Sequence, residues 1–167
     1  MDPNDTAETP PEEHLAGLGE TFLAAMAARQ RADVDTAQDL LREIIRKEPR
    51  LPEPHLELGR IHLDAGRLHD AEAETREALR LLALGGQWVD DVPEAVMGSI
   101  AHGQLAEVLR QRADSDEVIF GDPAVFKALL AEARTEFEQA RTLDPSNSHA
   151  DYHAFFIGLG DDVDVEL

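Results

Sequence analysis

The sequence predicts an all-α protein built from antiparallel helix hairpins, and three observations support this fold class. Apolar residues recur at helical spacing along most of the chain. Hydrophobic residues make up 43% of the composition and aromatic residues only 5%, so the helix-forming residues alanine and leucine supply most of the apolar surface. Small residues also recur at a shift of 34 residues, which aligns Ala25 with Gly59 and Ala37 with Ala71. That spacing is the period of a helix–turn–helix repeat.

The first hairpin is predicted between residues 11 and 47. Residues 1–10 are polar and acidic, so we expect a disordered tail there. The first helix is predicted to begin near Pro11 and to end near Arg31. Asp33 is expected to cap the second helix, which continues to about Lys47. The first helix carries an apolar stripe at helical spacing, formed by Leu15, Leu18, Phe22, Leu23 and Met26.

The second hairpin is predicted between residues 52 and 84. Pro52 is expected to begin the third helix, because proline is favoured in the first turn. Gly66 is expected to end this helix in a left-handed conformation. Asp70 is predicted to cap the fourth helix. Residues 85–93 form a predicted loop that contains Trp88, the only tryptophan, which is expected either to close one end of the core or to anchor a partner.

A longer third hairpin is predicted to follow. Its first helix is expected from Pro93 to about Arg112, and residues 113–122 are an insertion relative to the repeat. Asp122 and Pro123 provide a cap and a first-turn proline for the next helix, which is predicted to continue to about Thr142. A final helix is predicted over residues 147–158, and residues 161–167 form a second acidic tail. Residues 11–160 are therefore predicted to be a single domain.

These positions resemble the tetratricopeptide repeat family. The residues that carry the resemblance are Leu58, Gly59, Ala71 and Ala78, then Ala37 and Pro49 one repeat earlier, and Ala133, Phe137, Ala140 and Pro145 near the C-terminus. His55 and His62 stand where the family favours aromatic residues, so we expect them to fill packing positions. The resemblance implies about three repeat units and a C-terminal capping helix in a short right-handed solenoid. It also implies a concave surface that binds another protein.

The charge of the chain restricts the classes of partner. The formal net charge is −20, and Lys and Arg occur only between Arg29 and Arg141. Nucleic acid and anionic membranes are therefore not expected as partners, because both require a basic face. The acidic ends are expected to be solvated tails, although attraction for a basic partner is the alternative. The N-terminal residues lack the apolar run of a secretory signal, and the chain has no cysteine, so a cytoplasmic location is expected.

No set of residues predicts an enzyme or a cofactor site. The chain has no cysteine nucleophile, no serine nucleophile motif and no glycine-rich phosphate loop. The strongest metal-like cluster is His149, Asp151 and His153, where two imidazoles four residues apart share a helix face. Neighbouring histidines on an acidic helix also occur by chance, so we expect no metal, no cofactor and no catalytic activity.

The resemblance implies that the first helix of each hairpin lines the binding surface. Some family members bind a chaperone C-terminus through a Lys/Asn clamp, but the matching positions here do not carry it. We therefore expect no such ligand, and instead a groove for a peptide or an amphipathic helix. Its apolar residues are expected to be exposed in the free protein. The predicted partner-binding residues are Phe22, Met26, Arg29, Leu56, Arg60, Leu63, Glu107, Arg110, Tyr152 and Phe156.

Three hypotheses for function follow from these observations. The first is a cytoplasmic adaptor or scaffold that binds a segment of another protein. The second is a dedicated secretion chaperone of the type III kind, because small acidic proteins with about three such repeats serve that role. The third, much weaker, is a metal-binding protein or an enzyme. The sequence contains no motif that separates the first two, and it does not predict the oligomeric state.

Overall fold

The computed structural model describes residues 11–147, and this part of the chain contains seven helices and no β-strand. The all-α class predicted from the sequence is confirmed. No helix within residues 11–147 is long and apolar enough to span a lipid bilayer. The helices are α1 (Pro11–Gln30), α2 (Val34–Lys47), α3 (Pro52–Asp64), α4 (Leu68–Gly85), α5 (Glu94–Ala113), α6 (Asp116–Ile119) and α7 (Pro123–Leu143).

The chain divides into two compact units between Pro49 and Arg50. The first unit contains the hairpin of α1 and α2. The second contains α3 to α7, and its helices pack mainly on their neighbours in the chain. Helix α3 packs on α4, α4 packs on α5, and α5 packs on α7. Pairs of packed helices are therefore the basic packing element of both units.

Small side chains contribute to the buried face between the helices of the first unit. Ala25 and Ala28 on α1 and Ala37 on α2 are completely buried. Such small side chains allow two helices to pack closely. The carboxylate of Asp33 accepts a hydrogen bond from the backbone N–H of Thr36 at 3.3 Å, so the predicted cap of α2 is confirmed.

The apolar stripe predicted along α1 is partly wrong. Leu18 is buried as expected, but Leu15 and Leu23 are exposed. The helix instead buries the face that carries Leu18 and Ala25, and Leu23 lies about 140° around the helix axis from Leu18. The pattern of large residues missed this face because alanine forms much of it. The other two predicted stripe residues, both half-buried, are Phe22 and Met26.

Helix α5 contributes to three buried apolar clusters of the second unit. One of them joins α5 to the first hairpin of this unit through Leu56, Ala78, Met97 and Ala101. A second cluster joins α5 to α6 and α7, and its members are Leu105, Leu109, Ala113, Val118, Leu129 and Ala133. The third contains Ala106, Phe137 and Ala140. Because every cluster includes α5, this helix is the packing centre of the second unit.

Pro52 begins α3 as predicted, and two further predicted helix-end signals of the second unit are confirmed. Gly66 has a φ of 75°, the left-handed conformation expected after α3. The Asp122 carboxylate accepts the backbone N–H of Ala124 at 2.9 Å, next to Pro123 in the first turn of α7.

The predicted cap of α4 at Asp70 is wrong, because the helix begins at Leu68 and Asp70 lies in its first turn. The residue before this helix, Arg67, donates from its backbone N–H to the carbonyl of His62 and from Nε to His62 Nδ1, both at 2.9 Å. These two contacts fix the turn and allow the helix to begin earlier.

The insertion at residues 113–122 contains a short helix, α6, that the sequence did not predict. Val118 of α6 is buried, so this segment packs on the second unit. The helices around it are long, as predicted: α5 contains 20 residues and α7 contains 21, against 13 in α3. Asn147, the first residue of the predicted final helix, is not helical, and residues 148–158 and both acidic tails fall beyond the part of the chain that the structure describes.

Gly59 occupies the tightest point between α3 and its neighbours. A Cβ atom placed on Gly59 would lie 2.6 Å from Thr75 Oγ1 on α4 and 2.7 Å from Gln104 Nε2 on α5. It would also lie 3.4 Å from the backbone oxygen of Ala71. Gly59 therefore lies close to both Ala71 and Thr75 of α4, and α5 takes part in the same contact.

Replacing Gly59 with alanine should lower the free energy of unfolding by about 1–3 kcal/mol, because the new methyl group overpacks a buried site. Urea denaturation followed by circular dichroism measures this change.

Gly103→Ala is the matched control within the same unit. A Cβ atom at Gly103 would meet its nearest neighbours at 3.7 and 3.8 Å, which are ordinary contacts. This variant should gain about 0.5–1 kcal/mol, since alanine is favoured over glycine inside a helix. Equal stability of the Gly59 variant and the parent would contradict the close approach.

Candidate functional site

A buried glutamine beside the candidate site links α5 to α3 and α4. Gln104 on α5 is buried, and its Nε2 donates to the backbone carbonyl of Leu56 and to Thr75 Oγ1, both at 2.9 Å. Its Oε1 accepts a hydrogen bond from Arg60 Nε at 3.1 Å. Every polar atom of this side chain is therefore bonded, as a buried amide requires. The glutamine fits here because Gly59 has no side chain.

A cavity of about 350 Å³ opens beside Gln104, and we call it the Arg60 cavity. Residues from α3 and α5 form most of its wall, and Asn147 follows α7. Both apolar and charged side chains reach it. Its lining residues are Arg60, Leu63, Ile100, Gly103, Gln104, Glu107 and Asn147.

Two side chains of opposite charge lie on the wall of the Arg60 cavity. Within residues 11–147, Arg60 forms no ion pair with a carboxylate, and its only hydrogen bond is the one to Gln104. Glu107, by contrast, binds Arg110 through two parallel contacts at 2.7 and 3.0 Å. The hydrogen bond to Glu107 raises the pKa of Arg110 above its ordinary value, so this guanidinium stays charged. Arg60 is the cation that remains available to a ligand in the cavity.

The structure brings three predicted partner-binding residues together, namely Arg60, Leu63 and Glu107. Arg110 is next to them, because it is bonded to Glu107.

Leu56 is only 6% exposed and packs in the apolar cluster with Met97, so the expectation that it is an exposed anchor is wrong. Helix α5 packs on α3 in addition to α4. The buried face of α3 is therefore wider than the repeat pattern indicated.

The remaining predicted binding residues do not belong to this cavity. Phe22, Met26 and Arg29 lie on α1 in the first unit, within two helical turns of one another, and all three are half-buried. Tyr152 and Phe156 fall outside residues 11–147.

Besides Gln104, three residues of the cavity wall are absent from the predicted partner-binding residues. Ile100 and Gly103 lie one turn before Gln104 and Glu107 on the same face of α5, so helical spacing alone indicates them once that register is known. Helical spacing does not indicate Asn147, because this residue belongs to the turn after α7. Its side chain donates to Ser99 Oγ at 3.0 Å, and Ser99 in turn donates to the backbone oxygen of Ala140 at 2.7 Å.

A buried carboxylate fixes the loop that contains Trp88. Glu53 on α3 is 3% exposed, and its Oε1 accepts the backbone N–H groups of Trp88 and Val89 at 2.7 and 3.0 Å. Trp88 itself is half-buried. In the same loop, Gln87 lines a second cavity of about 550 Å³ together with Leu82 and other residues of α4, α5 and α7. The loop is therefore held by α3, although it connects α4 to α5.

Histidine residues of the second unit serve packing and pairing between helices. His62 is buried and His55 is half-buried, which confirms the packing role predicted for both. His55 Nδ1 lies 2.6 Å from Glu74 Oε2, and His102 Nδ1 lies 2.5 Å from Glu136 Oε2. Within residues 11–147, no group of three or more histidine and acidic side chains is arranged to hold a metal ion. The predicted cluster at residues 149–153 is not among the described residues.

Comparison with known proteins identifies no family. No family model matches the chain, and no curated protein matches its sequence.

Replacing Glu53 with alanine should release the loop and change the fluorescence of Trp88. Two backbone N–H groups would lose a charged acceptor, which costs about 1.5–3 kcal/mol for each bond. Because Trp88 is the only tryptophan, its emission reports this loop directly, and a shift to longer wavelength is expected.

Glu53→Gln is the control, because its amide oxygen can still accept both N–H groups. Its emission should stay close to that of the parent. An alanine variant with unchanged emission and unchanged stability would contradict the role of Glu53.

Proposed function

We propose that this protein is an adaptor that binds a segment of another protein, a peptide or an amphipathic helix, in the Arg60 cavity. The observation that carries the proposal is the convergence of Arg60, Leu63 and Glu107. The sequence pattern predicts these three residues as partner-binding residues, and they line one cavity.

The chemistry of the cavity supports a peptide ligand. Its volume of about 350 Å³ lies within the usual range of binding pockets, roughly 300–1,000 Å³, and suits one or two side chains. Leu63 and Ile100 offer apolar contact, while Arg60 offers a guanidinium without a carboxylate partner within residues 11–147. A short segment with an apolar side chain next to an acidic group would match both features.

We also infer that the hairpins are repeats of the tetratricopeptide kind. The burial of small residues at equivalent positions supports this inference: Ala25 and Ala37 in the first unit correspond to Gly59 and Ala71 in the second. The pairing of α3 with α4 and of α5 with α7 is also that of successive helix hairpins.

The proposal predicts that the double variant Leu63→Glu, Ile100→Glu loses its partner and keeps its fold. Ile100 is exposed and Leu63 is half-buried, so the free energy of unfolding should change little. Two carboxylates in place of apolar contacts should cost about 2 kcal/mol or more of binding, which is at least a roughly thirtyfold weaker complex. Quantitative mass spectrometry of the proteins that co-purify with the tagged parent and variant from the native cell measures the loss.

Leu84→Glu is the matched control, since Leu84 is 73% exposed on the same unit and does not line the Arg60 cavity. This variant should retain the partner. A double variant that melts like the parent and retrieves the same partner in the same amount would refute the proposal. The identity of the partner then separates the two roles: cytoplasmic machinery indicates an adaptor, and a single exported protein indicates a secretion chaperone.

A further inference from the structure

The most exposed large apolar side chains of the second unit include three that lie within seven consecutive residues, from the end of α6 to the first turn of α7. Phe120 is 84% exposed and Ile119 is 53% exposed, and Val125 on the first turn of α7 is also exposed. We call Ile119, Phe120 and Val125 the α6 patch. A cavity of about 450 Å³ lies beside the patch, lined by Asp114, Val118, Ile119, Pro123 and Phe126. Neighbouring exposed apolar residues of this kind mark interaction sites in proteins.

Backbone hydrogen bonds hold the α6 patch in place. The N–H groups of Ile119 and Phe120 donate to the carbonyls of Ser115 and Asp116 at 2.9 and 3.0 Å. Gly121 packs so closely against the turn that a Cβ atom there would lie 2.7 Å from the backbone oxygen of Glu117. The preceding residue, Val118, is buried in the core. The aromatic ring of Phe120 is therefore displayed to solvent by an anchored turn.

Acidic residues precede and follow Ile119 and Phe120 of the α6 patch in the chain. Asp114, Asp116, Glu117 and Asp122 all lie within six residues of Phe120 in the chain. The nearest basic residue of α7, Lys127, is two positions from Val125 and so lies about 200° around the helix axis from it. Asp114 is paired with Arg110, and Glu117 with His69, but Asp116 has no ion pair within residues 11–147. The rim of the patch is thus predominantly negative.

We infer that the α6 patch binds a basic amphipathic helix of a partner protein. The apolar face of such a helix would cover Ile119 and Phe120, while lysine or arginine side chains at its edges would meet the acidic rim. A second copy of this chain is disfavoured, because a symmetric contact would bring two acidic rims together in a protein whose net charge is −20. The α6 patch shares no residue with the lining of the Arg60 cavity, so this is a second and independent binding surface.

A displayed library of helical peptides tests this inference. Each 16-residue peptide keeps a leucine face and varies its polar positions among lysine, glutamate, glutamine and serine. Selection on the full-length protein should enrich lysine at positions that flank the leucine face. Peptides so selected should bind the Ile119→Ser, Phe120→Ser variant at least tenfold more weakly, and their affinity for the parent should fall at high salt.

Leu84→Ser is the matched control, because it removes a comparably exposed leucine away from the patch. It should bind the selected peptides as the parent does, and melting curves should show that both variants remain folded. Any of four outcomes would overturn the inference: enrichment of glutamate, absence of any charge preference, failure to enrich peptides, or equal binding to the Ile119/Phe120 variant. Sedimentation equilibrium provides a further test: a parent dimer that the Ile119/Phe120 variant abolishes would assign the patch to a second copy instead.

Discussion

The second unit depends on the close contact between Gly59, which has no side chain, and the side-chain amide of Gln104. Gln104 occupies the space that a Cβ atom on Gly59 would take, and from there it bonds to Leu56 on α3 and Thr75 on α4. The same amide positions Arg60 through the oxygen. One polar side chain in a small space thus holds three helices together and orients the charged wall of the candidate site. Loss of any partner would leave a buried polar group without its hydrogen bond. The free-energy cost of such an unpaired group exceeds the net stabilisation that the hydrogen bond provides.

The sequence predicted most of the fold because helix boundaries depend on local chemistry. Asp33, Gly66 and Asp122 act at the helix ends where their side-chain and backbone preferences place them. The failures have a common cause in contacts that are distant along the chain. Leu56 is buried because α5 covers its face of α3, and the loop of Trp88 is held by Glu53, 35 residues earlier. Helical periodicity contains no information about either contact.

Only part of the candidate site was predicted, because helical periodicity locates some of its residues and not others. Arg60 and Leu63 follow from the repeat register of α3, and Glu107 from that of α5, so the three residues found together are those that helix periodicity can locate. The α6 patch was not predicted, because the insertion that carries it interrupts the repeat. Burial of Val118 anchors the turn that exposes Phe120, and helical periodicity does not indicate this contact. The regular hairpins thus provide the Arg60 cavity, and the irregular insertion provides the α6 patch, which differs from it in chemistry.

Packing between neighbouring helices has a consequence for how the second unit folds. Because α3 packs on α4 and α4 on α5, most pairs can form without closing a long loop, and proteins dominated by such local contacts fold rapidly. Helix α7 can pair with α5 only after the inserted residues between them have folded back. The order of assembly is therefore expected to follow the order of synthesis. A ribosome-bound chain could bury α3 against α4 before α7 emerges, and the apolar face of α5 would then be the last large surface to be shielded from other nascent chains.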